Sequence, residues 1–232
     1  MTSTIIDRLG GGLVVSCQAP PGHPLRDPNV IGLLAECAQL AGAAGLRING
    51  AEDIRAARRR TDLPIIGLQK FRDTGPRDYI TPGIEYAEQL ATAGAQMIAV
   101  EVTEDVPGDP IALVKRIRVE LDLPVMADVS TLDEGRRAWD AGADVIGTTL
   151  SGYTTSSPSR GQEPDIALVR DLAGHGFRTV AEGRYATPEH VRDAYAAGAW
   201  SVVIGTAITD PIAIARRLVS ATPGAQHRPA TG

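Results

Sequence analysis

The stretch Ala138-Trp-Asp-Ala-Gly-Ala-Asp-Val-Ile-Gly147, AWDAGADVIG, decides the fold. A segment of helical pattern runs into Ala-Gly-Ala and then turns into an aliphatic run that reads as a strand. Glycine takes the left-handed conformation that ends a helix at little cost, and small alanines let helix and sheet approach closely. The same device recurs as QLAGAAGLRI (39–48), QLATAGAQMI (89–98) and AYAAGAWSVV (194–203). Helix starts carry matching signals. Thr131-Leu-Asp-Glu and Thr187-Pro-Glu both resemble N-caps, with Pro188 at the first helical position.

Outward from these stops, strands are expected at 13–18, 45–49, 64–70, 97–102, 124–129, 144–150, 178–183 and 201–205. Several lack strict alternation, as expected when both faces of a parallel sheet are covered. Helices fall between them, near 29–43, 51–61, 82–93, 109–121, 131–141, 163–173, 187–197 and 210–219. Eight β-α units in 232 residues predict an α/β fold, a single-domain (β/α)8 TIM barrel over 1–220. The rival, a doubly wound sheet, usually stops at roughly five to seven strands. Residues 1–11 are expected to close the bottom of the barrel with a short helix. The small, polar stretch 221–232 is expected to be a disordered tail.

Composition narrows the function classes. The chain is 43% hydrophobic but only 4% aromatic, so its core is aliphatic, and it is long enough to bury that core without staples. A formal charge of -5 gives no electrostatic footprint for nucleic acid or an anionic membrane. No apolar run approaches the ~18 residues of a membrane span, and the N-terminus lacks the pattern of a signal peptide. Cys17 and Cys37 make no disulfide framework. The expectation is a soluble cytoplasmic protein. The sequence does not fix its oligomeric state, a homodimer being one arrangement open to it.

In a (β/α)8 barrel the active site forms at the C-terminal ends of the strands. Here those ends carry Gln18, Arg47, Lys70, Glu101, Asp128, Thr148 and Thr149, Glu182, and then Gly205-Thr206. One charge at one strand end is a solvated loop entry; charged or amide groups ending six of eight strands, five of them in succession, are not so easily dismissed. Counting back by twos from Lys70 gives Leu68 and Ile66, from Asp128 Met126, and from Glu182 Val180. Each polar end therefore shares a strand face with residues that could fill the barrel interior. The last two strands end in Glu182-Gly183-Arg184 and Gly205-Thr206, where barrels often form a phosphate site from backbone N–H groups. No histidine ends a strand, which argues against a metal held by imidazoles. Gly10-Gly11-Gly12 precedes a strand, so it is no dinucleotide fingerprint, and no Walker motif or Gly-x-Ser-x-Gly elbow is present.

LVVSCQAPPGHPL, IGLQKF, YITPG, MADVSTLDEG, GTTLSGYT, VAEGRYATPEH and VVIGTAITDP together resemble the N-acylglucosamine-6-phosphate 2-epimerase family. The resemblance runs from Leu13 to Pro211 and implies interconversion of N-acetylmannosamine 6-phosphate and N-acetylglucosamine 6-phosphate. It implies that Lys70 transfers the proton with Glu182 as acid/base partner, and that Gln18, Arg47 and Asp128, with Thr149 beside them, hold the sugar. Gly183-Arg184 and Gly205-Thr206 would take the phosphate, with no metal or organic cofactor. One departure stands out. Where the family suggests an aspartate at the end of strand four, this chain has Val100-Glu101-Val102-Thr103, followed by the acidic EDVPGDP.

Epimerisation at C2 removes a proton next to a carbonyl and returns one to the other face. A neutral lysine base at pH 7 requires lowering a pKa of ~10.4 by about 3, worth ~4 kcal/mol. Burial and a nearby cation such as Arg47 act in that direction; a close carboxylate opposes it. Two other readings remain open at this level: a Schiff-base lyase using Lys70 as nucleophile, and a sugar-phosphate sensor that binds without turnover.

Overall fold

The four Ala-Gly-Ala stops fold alike. Gly42, Gly94, Gly142 and Gly198 have φ of 81°, 108°, 100° and 98°. The alanine after each donates its N–H back across the turn, Ala43 to Ala38, Ala95 to Leu90, Ala143 to Ala138 and Ala199 to Ala194, all at 3.0 Å. These are four copies of one helix-ending motif, in which a left-handed residue lets the chain cap the carbonyls the helix leaves open. Each turn delivers the chain directly into a strand.

The computed structural model of this protein describes residues 4–72 and 77–223. Ten strands follow in chain order: β1 (Leu13–Cys17), β2 (Gly45–Asn49), β3 (Ile65–Leu68), β4 (Lys70–Phe71), β5 (Tyr79–Ile80), β6 (Met97–Glu101), β7 (Val125–Asp128), β8 (Val145–Gly147), β9 (Thr179–Glu182) and β10 (Ser201–Ile204). All except β4 and β5 form a closed parallel barrel in the order β1-β10-β9-β8-β7-β6-β3-β2. The chain is therefore a (β/α)8 barrel, as its sequence predicts. The helices are α1 (Ile5–Leu9), α2 (Pro28–Leu40), α3 (Ala51–Arg58), α4 (Ile84–Ala93), α5 (Pro110–Arg116), α6 (Leu132–Asp140), α7 (Ile166–Gly174), α8 (Pro188–Ala196), α9 (Thr206–Thr209) and α10 (Pro211–Val219). Thr131 caps α6 reciprocally with Glu134, and Thr187 caps α8 ahead of Pro188.

Strand parity sorts the core into two layers. Val14, Ile66, Leu68, Met97, Ala99, Met126, Val145, Val180 and Val203 fill the barrel interior. The alternate residues, among them Ile48, Ile65, Ile98, Val100 and Val125, meet the helices outside. Leu9 of α1 closes the interior from below, with Ile5, Ile6 and Trp200 packed against it. Residues 224–232, most of the expected tail, lie outside the described residues.

Two expectations need correction. The strand read as 64–70 ends at Leu68, and Lys70 belongs to the two-residue strand β4, which pairs antiparallel with β5. The break arises because Gln69 donates its N–H to Thr81 Oγ1 at 3.0 Å and Lys70 to Asn49 Oδ1 at 2.8 Å, leaving the barrel ladder. The strand read as 144–150 likewise stops at Gly147, so Thr148 and Thr149 stand in the loop above it. There the Thr148 hydroxyl donates to the Glu182 carbonyl at 2.9 Å and accepts from the Glu182 N–H at 3.0 Å, a side chain standing in for the backbone of the ladder.

Candidate active site

Arg47 is the centre of the barrel mouth. It points inward from the middle of β2, is 1% exposed, and reaches across to residues at three other strand ends. Its two terminal nitrogens bind Asp128 of β7 in a fork, at 2.9 Å and 2.6 Å. One of them also bonds Glu182 of β9 at 2.5 Å and lies 3.4 Å from Thr149 Oγ1. Asp128 is fully buried, and the Glu182 side chain is 14% exposed at the open side of the cluster. A charge this deep persists only when paired.

One cation faces two carboxylates here, and the excess falls on Glu182. Desolvation, and then the Asp128 carboxylate, outweigh the Arg47 guanidinium, the Thr149 hydroxyl and the Lys70 ammonium, so the Glu182 pKa is pushed up to about 7. Hydrogen counting agrees. Thr149 Oγ1 lies 2.6 Å from Asp128 Oδ1 and 3.0 Å from Glu182 Oε2, yet a hydroxyl carries a single hydrogen. Both contacts are good hydrogen bonds when Glu182 holds a proton and donates it to Thr149, which donates to Asp128. With both Asp128 oxygens accepting from the Arg47 fork, that proton falls on Glu182.

Lys70 rises on the opposite side of the mouth, since β3 and β9 stand four places apart in the ring. Solvent reaches its side chain, but protein surrounds it on most sides. That desolvation, followed by the Arg47 guanidinium, holds its pKa below the ordinary 10.5, while Glu182, Asp78 and Asp128 act the other way. Gln18, just past β1, donates its amide to Ser16 Oγ at 2.8 Å, and its buried carbonyl oxygen has no partner among the described residues. The expected strand-end residues Gln18, Arg47, Asp128, Thr149, Glu182 and Lys70 thus all stand at one end of the barrel.

The loops after β9 and β10 complete that end. Gly183 and Arg184 both have positive φ, 104° and 65°, and Gly205 precedes the short helix α9. Among the described residues, nothing accepts a hydrogen bond from the backbone N–H of Gly183, Arg184, Thr206 or Ala207. The Arg184 side chain points elsewhere: it donates to the carbonyls of Glu163 at 2.7 Å and Ser151 at 2.9 Å and stacks over Tyr153. Glu101 is absent from the open cluster, being wholly buried and bound to Arg77. Among the described residues, no group of three His, Cys, Asp or Glu side chains is placed to hold a metal ion.

Sequence reasoning missed Asn49, Arg77 and Thr81, which hold the Lys70 segment. Only Asn49 left a signal, two residues beyond Arg47 and so on the same inward face of β2.

Such a barrel, with its ionisable groups gathered at the strand C-termini, has the form of a (β/α)8 enzyme. Residues 31–223 match the family described as "Putative N-acetylmannosamine-6-phosphate epimerase", and the chain belongs to that family. It is 43% identical over 225 residues to the "Putative N-acetylmannosamine-6-phosphate 2-epimerase" of Caldanaerobacter subterraneus subsp. tengcongensis, covering 95% of this chain and 94% of that one. Against the solved N-acetylmannosamine-6-phosphate 2-epimerase from Clostridium perfringens the TM-score is 0.90 at 35% identity, with 96% of this chain and 98% of that chain covered. A thiamine phosphate pyrophosphorylase from Pyrococcus furiosus shares the fold alone, with a TM-score of 0.60 at 15% identity over 92% of this chain and 93% of that one.

Proposed function

We propose that this chain interconverts N-acetylmannosamine 6-phosphate and N-acetylglucosamine 6-phosphate by moving the proton at C2. The observation that carries the reading is a lysine of lowered pKa facing, across the barrel mouth, a carboxyl group raised to about 7. A base whose pKa is lowered and an acid whose pKa is raised are what C2 epimerisation calls for, and each such group contributes about 10² to 10⁴ in rate.

The open-chain sugar lies over the mouth with its C2 between Lys70 and Glu182. The Lys70 amine takes the C2 proton, and the C–H bonding pair becomes the C1=C2 bond of a planar enolate, still carrying the acetamido nitrogen on C2, as the C1 carbonyl π pair moves onto O1. Glu182 delivers a proton to the opposite face of C2, the charge on O1 collapses back to the carbonyl, and the configuration inverts. Arg47 and Asp128 hold the sugar, burial and the Asp128 carboxylate keep Glu182 protonated, and Gln18 and Thr149 are further hydrogen-bonding partners. The phosphate sits at the loops Gly183-Arg184 and Gly205-Thr206, on the open backbone N–H groups of Gly183, Arg184 and Thr206, Arg184 contributing through its main chain.

Proton NMR of N-acetylmannosamine 6-phosphate in D₂O tests this. The expected result is exchange of the C2 hydrogen together with appearance of the gluco isomer. A Schiff-base lyase would instead cleave the sugar and be inactivated by borohydride plus substrate, and a sensor would do neither. Either outcome would overturn the reading.

A further inference from the structure

Lys70 is not carried by the barrel wall. It stands on a two-residue strand that leaves the ladder after Leu68, and its antiparallel partner is Ile80. What keeps this hairpin still decides where the ammonium points. Three fastenings are visible. Asn49 Oδ1 accepts the Lys70 N–H at 2.8 Å. Thr81, buried and held at φ 48°, a conformation strongly disfavoured for a β-branched residue, donates its N–H to the Gln69 carbonyl at 2.7 Å and accepts the Gln69 N–H on its hydroxyl. Ile80 joins the barrel-interior cluster with Leu68, Met97 and Ala99, closing it from above.

The fourth fastening is Glu101, the last residue of β6. By parity it follows Met97 and Ala99 onto the inward face of β6, yet it is 0% exposed because the hairpin covers it. Its carboxylate accepts four hydrogen bonds: two from Arg77, at 2.6 Å and 3.1 Å, one from the Ile80 N–H at 3.2 Å and one from Thr103 Oγ1 at 2.6 Å. The acidic loop that follows continues the device. Asp105 lies 3.4 Å from Arg77 and accepts from the N–H and hydroxyl of Thr155 in the loop after β8. With four donors around it, Glu101 has no capacity left for a substrate hydroxyl.

We propose that Glu101 and Arg77 are positioning residues for Lys70: their fork holds Arg77 and Ile80, and through the Lys70–Ile80 pair it fixes the amine over the barrel mouth. The proposal rests on the reading of Lys70 as the proton carrier. Groups that face the Lys70 amine are Arg47, Glu182, Asp78 and Asp128, so a shift of the hairpin changes its distance to all four. Strain stored at Thr81 is the mark of a segment whose conformation the surroundings over-determine.

The test uses the full chain with Arg77→Ala, Arg77→Lys and Glu101→Gln. A displaced general base costs on the order of 10²-fold in rate, so kcat should fall by that order in Arg77→Ala and Glu101→Gln while KM stays within about threefold; Arg77→Lys should keep part of the rate. A second readout does not depend on turnover. The chain has two lysines, Lys70 and Lys115, so ¹³Cε-lysine labelling gives two titrating signals, assigned with Lys115→Arg. The Lys70 midpoint should rise toward 10.5 in Arg77→Ala as the amine gains water. Unchanged kcat and midpoint in Arg77→Ala would overturn the proposal. So would a loss that follows thermal stability alone, with KM and kcat moving together and the midpoint fixed. Should Glu101→Gln fail to fold, the two Arg77 variants decide, since Arg77 is partly exposed on a loop. Lys70→Met separates the two layers of argument: if it kept activity, the reading of Lys70 as base would fail, while the NMR midpoint would still judge the fastening.

Discussion

Glu182 is where the electrostatics of the cluster become measurable. Its pKa in the folded chain, about 7, stands above the ordinary 4.5, so between those values the native state holds more proton than the unfolded state. Stability therefore falls as pH rises through that window, and the loss is complete above about 7. At 1.36 kcal/mol for each tenfold, the full effect is about 3 kcal/mol as an upper bound. Glu182→Gln keeps the shape and removes the titration. Denaturant unfolding should find it more stable than the parent at pH 8 and about equal at pH 4. Equal stability gaps at both pH values would show that Glu182 does not carry the excess charge. The opposite substitution in kind, Asp128→Ala, leaves Arg47 buried without its fork partner and should cost about 3–5 kcal/mol.

Helix endings can be tested as elements. Gly142 has φ of 100° and nothing within 4 Å of the position a Cβ would take, so Gly142→Ala probes backbone conformation without a clash. Placing an L-residue there should cost about 1–2 kcal/mol by denaturant unfolding with kcat unchanged. A stabilised Gly142→Ala would contradict the account of how the β-α units are punctuated. Legibility also divides at this scale. Ala-Gly-Ala stops and Thr caps are local, so the sequence displays them, and period two assigned Leu68, Ile66, Met126 and Val180 to one face correctly. PIIGLQKF did not disclose its break after Leu68, because the groups that end the strand, Asn49 and Thr81, are twenty-one and eleven residues from Lys70. The strand-end residues of the site were legible from the fold rule. Their pairing was not, since parity gives a face and never a partner: nothing in the sequence joins Arg47 to Asp128, or Glu101 to Arg77.

At the scale of the whole molecule, Lys70, Glu182 and the loops after β9 and β10 stand at one end of the ring, and the proposed chemistry falls to residues on opposite sides of its mouth. If the open N–H groups after β9 and β10 supply much of the binding, unphosphorylated N-acetylmannosamine should show a kcat/KM lower by orders of magnitude; comparable values would remove the phosphate from that site. The central claim is that Lys70 on one side and Glu182 on the other serve opposite faces of a planar intermediate. Single-turnover conversion of N-acetylmannosamine 6-phosphate carrying deuterium at C2, in ordinary water, tests it most directly. Two groups acting from two sides predict an N-acetylglucosamine 6-phosphate product whose C2 carries hydrogen from solvent. A product that keeps its deuterium would mean that one residue carries the same proton around the ring, and the two-sided account would be wrong.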